Sequence, residues 1–292
     1  MAAHQQPFLF CFGLGYTAQA LGRVLAAAGW RVAGTSRSAA GAAELERDGW
    51  TAVAFSRDHT LAPACFAGAT HILVSVPPDE AGDPVLQAMG EVIADQRPAW
   101  LGYLSTTGVY GDRGGGWVDE SADLLPVGER GRRRVAAESA WRDLMRRRGT
   151  PVHLFRLAGI YGPGRSALDQ LRAGTAKRID KPGQLFSRIH VEDIVATLRA
   201  SIAQPNPGAA YNVGDDEPAP PQEVVAHAAA LLGLPAPPLE PFDPARLSPM
   251  AASFYAESKR VANRRIKQEL GVRLAFPTYR EGLAALLAGA GR

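Results

Sequence analysis

One stretch near the start of the chain decides the fold: Phe8-Leu9-Phe10-Cys11-Phe12-Gly13-Leu14-Gly15-Tyr16-Thr17-Ala18. Its five apolar residues predict a buried strand, and the residues that follow the glycines predict a helix. Gly13 permits a tight turn, Gly15 lets the backbone approach a pyrophosphate, and Ala18 lets the helix pack close to the strand. Free N–H groups at the start of the helix favour negative charge. The stretch therefore predicts a dinucleotide-binding βαβ unit.

The end of the second predicted strand indicates which dinucleotide binds. The chain reads Thr35-Ser36-Arg37 where an NAD-binding unit carries Asp or Glu for the adenosine ribose. Two hydroxyls and an arginine suit a 2′-phosphate, which a carboxylate would repel, so we predict NADP(H). The alternative is a tight turn beside a solvated arginine. We also expect contacts to the cofactor at the start of the first helix and after the fourth strand, from Tyr16, Thr17, Val76 and Pro77.

Length and composition restrict the class of protein. The 292 residues are enough for a large core, and 46% hydrophobic and 21% charged residues are typical of a soluble globular protein. The apolar N-terminal stretch is too short for a signal peptide, and no segment is apolar enough to span a bilayer. Two cysteines, Cys11 and Cys65, supply neither a disulfide framework nor a metal set. We therefore expect a cytoplasmic protein without a metal.

The charge pattern raises the question of nucleic acid. Eight arginines lie between residues 130 and 148, although the net charge is only +3. Three of them, Arg146 to Arg148, end a predicted helix just before Gly149, where cations interact favourably with the helix dipole. No aromatic residues are interleaved with them. The pattern predicts a solvated helix face and no nucleic-acid partner.

Alternating strands and helices in the first half predict an α/β Rossmann-type fold, a doubly wound parallel sheet with a small C-terminal substrate-binding domain. We predict an NADP(H)-binding domain over residues 1–160 and a substrate-binding appendage over 161–292, with segments near 186–213 returning to the sheet. The cleft should open at the carboxyl ends of the strands. Strands are predicted at 8–12, 31–35, 51–55, 71–76, 100–105 and 152–157. Helices are predicted at 17–28, 39–48, 83–96, 131–148, 222–232, 258–270 and 277–288.

Five further segments resemble landmarks of the extended short-chain dehydrogenase/reductases, in the order of that superfamily: residues 105–112, 156–165, 189–194, 211–214 and 258–271. The chain most resembles atypical members described as NAD(P)-dependent epimerase/dehydratase or nucleoside-diphosphate-sugar epimerase-like proteins. The resemblance implies an oxidoreductase or epimerase/dehydratase-like enzyme that acts on a small polar metabolite. It also implies a monomer or a homodimer, the dimer formed through helices 83–96 and 131–148.

The chain departs from the family at the catalytic pair. Extended members usually carry Gly-x-x-Gly-x-x-Gly, whereas this chain has the Gly-x-Gly spacing of Gly13 and Gly15. In the family, a Tyr-x-x-x-Lys pair also opens the helix before the sixth strand. Alignment on Glu138 puts Arg130 at the tyrosine position and Arg134 at the lysine position. A guanidinium has a pKa above about 12, so Arg130 cannot act as the general acid–base. Arg134 can still donate to the nicotinamide ribose.

Other candidates for catalysis have structural alternatives. Thr106 stands at the family's Ser/Thr position, where it would hydrogen-bond a substrate oxygen or cap its loop. Tyr110 would act as a replacement acid or as a packing residue. Tyr255-Ala256-Glu257-Ser258-Lys259 reads as Tyr-x-x-x-Lys but lies far past the sixth strand, so we do not expect it to be catalytic.

The substrate and the occurrence of turnover stay open at the level of sequence. Nucleotide-sugar enzymes of the family carry a diphosphate-binding arginine where this chain has Phe186, and the nearby Arg165, Arg178 and Arg188 are candidates to compensate. His190 is expected to be a buried, hydrogen-bonded residue rather than a ligand. The alternative to an enzyme is a non-catalytic NADP(H)-binding redox sensor or regulatory protein.

Overall fold

The structure, a computed structural model, describes residues 6–289. A parallel sheet of seven strands forms its centre, and the predicted α/β fold is confirmed. Across the sheet the strands run in the order β11 (Ala210–Val213), β7 (Val152–Leu157), β5 (Trp100–Thr106), β4 (His71–Val74), β1 (Phe8–Phe12), β2 (Arg31–Ser36) and β3 (Thr51–Ala54). Shorter strands form three pairs: β6 (Trp117–Val118) with β13 (Arg260–Val261), β8 (Gly159–Tyr161) with β10 (Arg188–His190), and β9 (Arg178–Asp180) with β12 (Leu239–Pro241).

Within the described residues, the helices are α1 (Tyr16–Ala27), α2 (Ala39–Arg47), α3 (Pro84–Gln96), α4 (Glu129–Arg148), α5 (Ala167–Arg172), α6 (Val191–Ala203), α7 (Pro221–Leu231), α8 (Pro249–Tyr255), α9 (Arg264–Glu269) and α10 (Tyr279–Gly289). None of them is long and apolar enough to cross a membrane. The first four begin and end within two residues of the predicted bounds, because caps and glycines mark their ends. Ser38 and Asp83, for example, accept backbone N–H groups at the starts of α2 and α3.

Contacts divide the described chain into two units. Unit 1 takes in the residues up to Ser105, Arg133–Phe155 and Leu198–Ala210, and unit 2 takes in Thr106–Arg132, Arg156–Thr197 and the residues from Tyr211 onward. The domain boundary expected near residue 160 stays a prediction.

Aromatic packing around β1 forms the core of unit 1. All five residues of β1 are buried, as expected for a strand covered on both faces. Phe10 lies opposite Ala33 of β2 and Ile72 of β4 in the parallel ladders. Its ring centroid is 5.3 Å from that of Phe66. The strand is therefore fixed inside the sheet between β2 and β4, and the glycine turn that follows it lies at the carboxyl edge.

The arginines at the end of α4 are paired within unit 1. Arg147 and Arg148 both contact Glu91 of α3, and Arg148 also contacts Asp95. The three arginine side chains from Arg146 onward are from one third to two thirds exposed. These ion pairs form a mixed-charge, solvated surface, which is the interpretation that the sequence favours.

The prediction of one helix over 258–270 is wrong. Arg260 and Val261 form β13 instead, in parallel register with Trp117 and Val118, and the helix α9 begins only at Arg264. Ser258 explains the extended backbone, because its N–H donates to Asp112 and its hydroxyl donates to the Gly183 carbonyl. These partners are distant in sequence, so local helical spacing could not reveal them.

Candidate active site

The first glycine of the turn is required by the fold itself. Gly13 has a φ of +87°, and a Cβ there would lie 2.6 Å from the Ser75 Oγ. Its N–H donates to the Thr35 hydroxyl at 2.8 Å, and its carbonyl accepts the Ser75 hydroxyl at 2.5 Å. Thr35 at the end of β2 and Ser75 after β4 therefore hold the turn from two sides.

No packing contact inside the protein requires a glycine at the second glycine of the turn, Gly15. Gly15 has φ −88° and ψ −166°, which any residue adopts, and a Cβ built on it meets no atom within 4 Å. The residue is exposed, and it is the N-cap of α1. Space of this kind beside a helix start suits a pyrophosphate that approaches the backbone closely. The residues at this turn therefore fit a dinucleotide.

The start of α1 adds positive polarity to this turn. No side chain caps the helix, and its first turn carries no acidic residue. Tyr16 opens the helix half-buried, and Thr17 is buried. A helix of twelve residues presents several N–H groups at its start, which favours a bound anion.

The end of β2 places Arg37 at the surface and Thr35 in the interior. Thr35 is 2% exposed, and its hydroxyl accepts the Gly13 N–H of the glycine turn. Ser36 is half-buried, whereas Arg37 is exposed and makes no hydrogen bond or ion pair with residues 6–289. Of the three predicted residues, Ser36 and Arg37 thus stay available to a ligand, while Thr35 shapes the turn.

The loop after β4 lies against the same turn. The Val76 side chain is 3.2 Å from the position of a Cβ on Gly13, and the next residue, Pro77, is exposed. Ser75, which sequence reasoning missed, makes the hydrogen bond that ties this loop to the turn. Its signal was its place: a hydroxyl residue directly after the strand that pairs with β1.

Arg134 is a buried residue of unit 1, and two hydrogen bonds fix the direction of its guanidinium. Its Nη1 donates to the Tyr103 hydroxyl at 3.1 Å and to the Leu104 carbonyl at 2.5 Å. Both bonds use one nitrogen, so the guanidinium keeps further N–H groups for another acceptor. Burial raises the pKa of Tyr103 far above its usual value, so this phenol stays neutral. Glu138, one turn further along α4, accepts the Ser105 hydroxyl at 2.5 Å.

Thr106 and Tyr110 belong to unit 2 and differ in access. Thr106 is half-buried, and its Oγ1 accepts the Gly108 N–H at 3.1 Å, which leaves its own proton to donate. Tyr110 is fully buried: its hydroxyl donates to Asn212 at 2.7 Å and accepts from Arg156 at 2.8 Å. Burial also raises the pKa of Tyr110. This geometry supports the packing role for Tyr110 and keeps Thr106 open to a substrate oxygen.

Arg130 lies on α4 one helical turn before Arg134, but its side chain is exposed. Its guanidinium carbon is 5.6 Å from the centroid of the Phe254 ring. The literal Tyr-x-x-x-Lys pattern at residues 255–259 does not lie on one helix, because Tyr255 ends α8 and Lys259 lies beyond it. The Lys259 ammonium donates to the Gly111 carbonyl at 2.9 Å and pairs with Glu257. Among the described residues no cluster of His, Cys, Asp or Glu could hold a metal.

The comparisons with known proteins agree with this architecture. No protein-family model matches the chain. A conserved protein from Silicibacter pomeroyi, described as functionally unknown, is 53% identical and superimposes with a TM-score of 0.90 over 97% of this chain and 99% of its own. Protein YeeZ from Escherichia coli (strain K12) is 27% identical over 215 residues, which cover 69% of this chain and 75% of YeeZ.

The chain belongs to the same family as the Silicibacter pomeroyi protein. Its fold is also that of DesIV, a dTDP-glucose 4,6-dehydratase from Streptomyces venezuelae whose double mutant was determined with NAD bound. The two are 18% identical, with a TM-score of 0.79 over 97% of this chain and 96% of DesIV. The fold implied by the resemblance to epimerase/dehydratase-type short-chain dehydrogenase/reductases is therefore confirmed.

Proposed function

We propose that this family member binds NADP(H) and is an oxidoreductase of the epimerase/dehydratase type, acting on a small polar metabolite without a Tyr-x-x-x-Lys pair. The observation that carries the proposal is Gly15. Neither its backbone conformation nor its neighbours require a glycine. A pyrophosphate at the uncapped start of α1 would supply the missing reason.

Arg37 supports NADP(H) over NAD(H), although DesIV was determined with NAD. Its guanidinium is exposed and unpaired among the described residues, and no carboxylate stands at positions 35–37. An adenosine 2′-phosphate would give this arginine a charge-assisted partner. Titration calorimetry tests the choice: NADPH should bind about ten- to hundredfold more tightly than NADH.

Arg37→Ala should remove that preference, whereas Arg47→Ala should keep it. Arg47 is a matched control because it is an exposed arginine at the end of the adjoining helix α2, where it donates to the Ala43 carbonyl at 3.3 Å and lies 4.0 Å from Glu44. Equal affinity of the unaltered protein for NADPH and NADH would refute the NADP(H) proposal. It would leave the proposal for a dinucleotide at the glycine turn standing.

The chain's own residues define a limited set of chemical roles. When bound, a reduced nicotinamide supplies a hydride. The Thr106 hydroxyl would donate to a substrate carbonyl oxygen, and the remaining N–H groups of Arg134 would hold the nicotinamide ribose. Neither Arg130 nor Arg134 exchanges a proton near neutrality, and the Tyr110 hydroxyl is occupied. Water or the substrate itself therefore supplies the proton.

The second candidate function, a non-catalytic NADP(H) sensor, is favoured by the same two guanidiniums, since they preserve binding without proton transfer. Oxidation of NADPH against a panel of carbonyl compounds separates the two functions. Turnover that Thr106→Val lowers would support the enzyme. Tight NADPH binding with no turnover on any substrate of the panel would support the sensor.

A further inference from the structure

Unit 2 contains a cavity of about 320 Å³ that is lined by none of the residues predicted for the cofactor or for catalysis. We infer that it binds a small polyhydroxylated anion, such as a sugar phosphate or a sugar acid. The lining includes Gly114, Gly115, Lys181, Gln184, Gln222 and Arg260. These residues come from the segment before β6, the segment after β9, the start of α7, and β13.

Two side-chain oxygens of the lining have no partner within the described part of the chain. Gln184 is 2% exposed, and its Nε2 donates to the Glu257 carbonyl at 2.6 Å, which fixes the direction of the amide. Its Oε1 is buried without a hydrogen bond, and so is the Oε1 of Gln222. A buried acceptor without a donor destabilises the free protein, so two of them around one cavity indicate a ligand that brings hydroxyl donors.

Two cations of the lining form no close ion pair among residues 6–289, although the charge of Lys181 helps to lower the pKa of Asp112. The Lys181 ammonium donates to the Tyr255 carbonyl and lies 5.0 Å from the centroid of the Phe242 ring. Arg260 donates through Nη1 to the Gly115 carbonyl at 2.5 Å. No acidic residue lines the cavity beside these two cations. An anionic group on the ligand would neutralise them.

The walls of the cavity are tied together before any ligand arrives. Ser258 accepts the Leu185 N–H at 3.1 Å and donates to the Gly183 carbonyl at 2.8 Å. The backbone of Gly115 in turn donates to the Ser258 carbonyl at 2.9 Å. A site held in this way pays little ordering cost on binding.

The volume limits the size of the ligand. Small-molecule sites commonly measure about 300–1,000 Å³, so this cavity matches a single sugar ring with one anionic group rather than a nucleotide sugar. Phosphate and carboxylate both satisfy Lys181 and Arg260, and the hydroxyls satisfy the glutamine oxygens. The inference does not depend on the proposed function, because all the lining residues belong to unit 2 whether or not the glycine turn of unit 1 binds a cofactor.

Titration calorimetry of the full-length protein with four probes tests the site: D-glucose 6-phosphate, D-glucuronate, D-glucose and UDP-glucose. We expect binding of at least one of the two sugar anions and none of neutral glucose. The phosphate and the carboxylate arms show which anion is preferred. Tighter binding of UDP-glucose than of both sugar anions would overturn the inference, and so would no binding of either anion.

Substitutions locate the binding. Lys181→Met should weaken the sugar anion about tenfold or more, since one charge-assisted contact is lost, whereas the exposed Lys177→Met makes the same change of charge four residues earlier and should leave the affinity unchanged. Equal affinity of the two variants would overturn the inference. Gly15→Val separates it from the proposed function, because that variant should lose NADP(H) and keep the sugar anion.

The variant Gln222→Leu keeps the inference testable if Lys181→Met does not fold. Because the Gln222 Oε1 has no partner in the free protein, its removal should raise the Tm of the free protein while it weakens the sugar anion. A purely structural glutamine would change in the opposite direction, with a lower Tm and unchanged affinity. That result would overturn the inference even if Lys181→Met failed to fold.

Discussion

Replacing Gly15 by valine separates a requirement of the ligand from a requirement of the fold. The position has an extended φ and ψ, and a Cβ there meets no protein atom within 4 Å. Valine should therefore change the free energy of unfolding by no more than about 1 kcal/mol, since the lower chain entropy of the unfolded state offsets its lower preference for the start of a helix. The folded protein should survive the change.

The effect on binding should be far larger. The valine side chain would fill the space through which a pyrophosphate reaches the N–H groups at the start of α1. Loss of two charge-assisted hydrogen bonds costs about 3–6 kcal/mol, at about 1.5–3 kcal/mol for each, which is roughly a hundred- to ten-thousandfold in Kd. Titration calorimetry with NADPH, beside a thermal unfolding curve, measures both quantities on one preparation.

Gly128→Val is the matched control. Gly128 also precedes a helix, has open space around a Cβ, and accepts the N–H four residues later at 3.0 Å, as Gly15 does from Gln19 at 2.8 Å. Its variant should bind NADPH as the unaltered protein does. If Gly15→Val folds and keeps its NADPH affinity, the phosphates bind elsewhere and the reasoning from the glycine turn is refuted.

Three other substitutions address the neighbouring groups and the acid–base behaviour. Arg134→Ala should weaken NADPH about ten- to hundredfold, and Arg134→Lys should restore part of it; calorimetry with unchanged affinity in Arg134→Ala would contradict the ribose contact. Ser75→Ala should lower both the Tm and the NADPH affinity, because the hydroxyl holds Gly13, and a lower Tm alone would limit Ser75 to stability. Burial raises the pKa of Asp215 from 3.8 to about 8, so the folded state binds this proton more tightly and the free energy of unfolding should fall as the pH rises between these values. In denaturant titrations, Asp215→Asn should remove the part of the pH-dependent fall in unfolding free energy that this carboxyl causes. If Asp215→Asn instead destabilises the protein strongly at every pH in this interval, the carboxyl is ionised in the folded state and the prediction is wrong.

The parts of the fold that local sequence encodes were predicted closely. The apolar run 8–12 became a fully buried strand, because a parallel strand covered on both faces needs no alternation. Helix α4 was expected at 131–148 and spans Glu129–Arg148, since Gly149 with a φ of +70° marks its end. Local patterns of this kind act within a few residues, so one chain suffices to interpret them.

Contacts between distant segments explain what the sequence could not reveal. Thr35 was predicted to contact a 2′-phosphate, and the sequence did not reveal that its hydroxyl also accepts the Gly13 N–H from the turn after β1. The helix expected over 258–270 was interrupted because Ser258 is bound to Asp112. The side-chain oxygens of Gln184 and Gln222 likewise lack a hydrogen-bond partner because separate segments of the chain bury them. Each of these outcomes depends on tertiary contacts that the spacing of residues in the sequence does not predict.

The two arginines of α4 show how binding and proton transfer separate on one helix. Burial and two hydrogen bonds from Nη1 fix the direction of Arg134, while Arg130, one turn earlier, stays exposed beside Phe254. Both side chains supply hydrogen-bond donors and charge, but a guanidinium does not act as a general acid or base near neutrality. A helix altered in this way keeps the means to hold a cofactor ribose and gives up the acid–base function of the pair. The pH profile of any reduction that the protein performs should therefore show no ionisation that Arg130→Ala or Arg134→Ala removes.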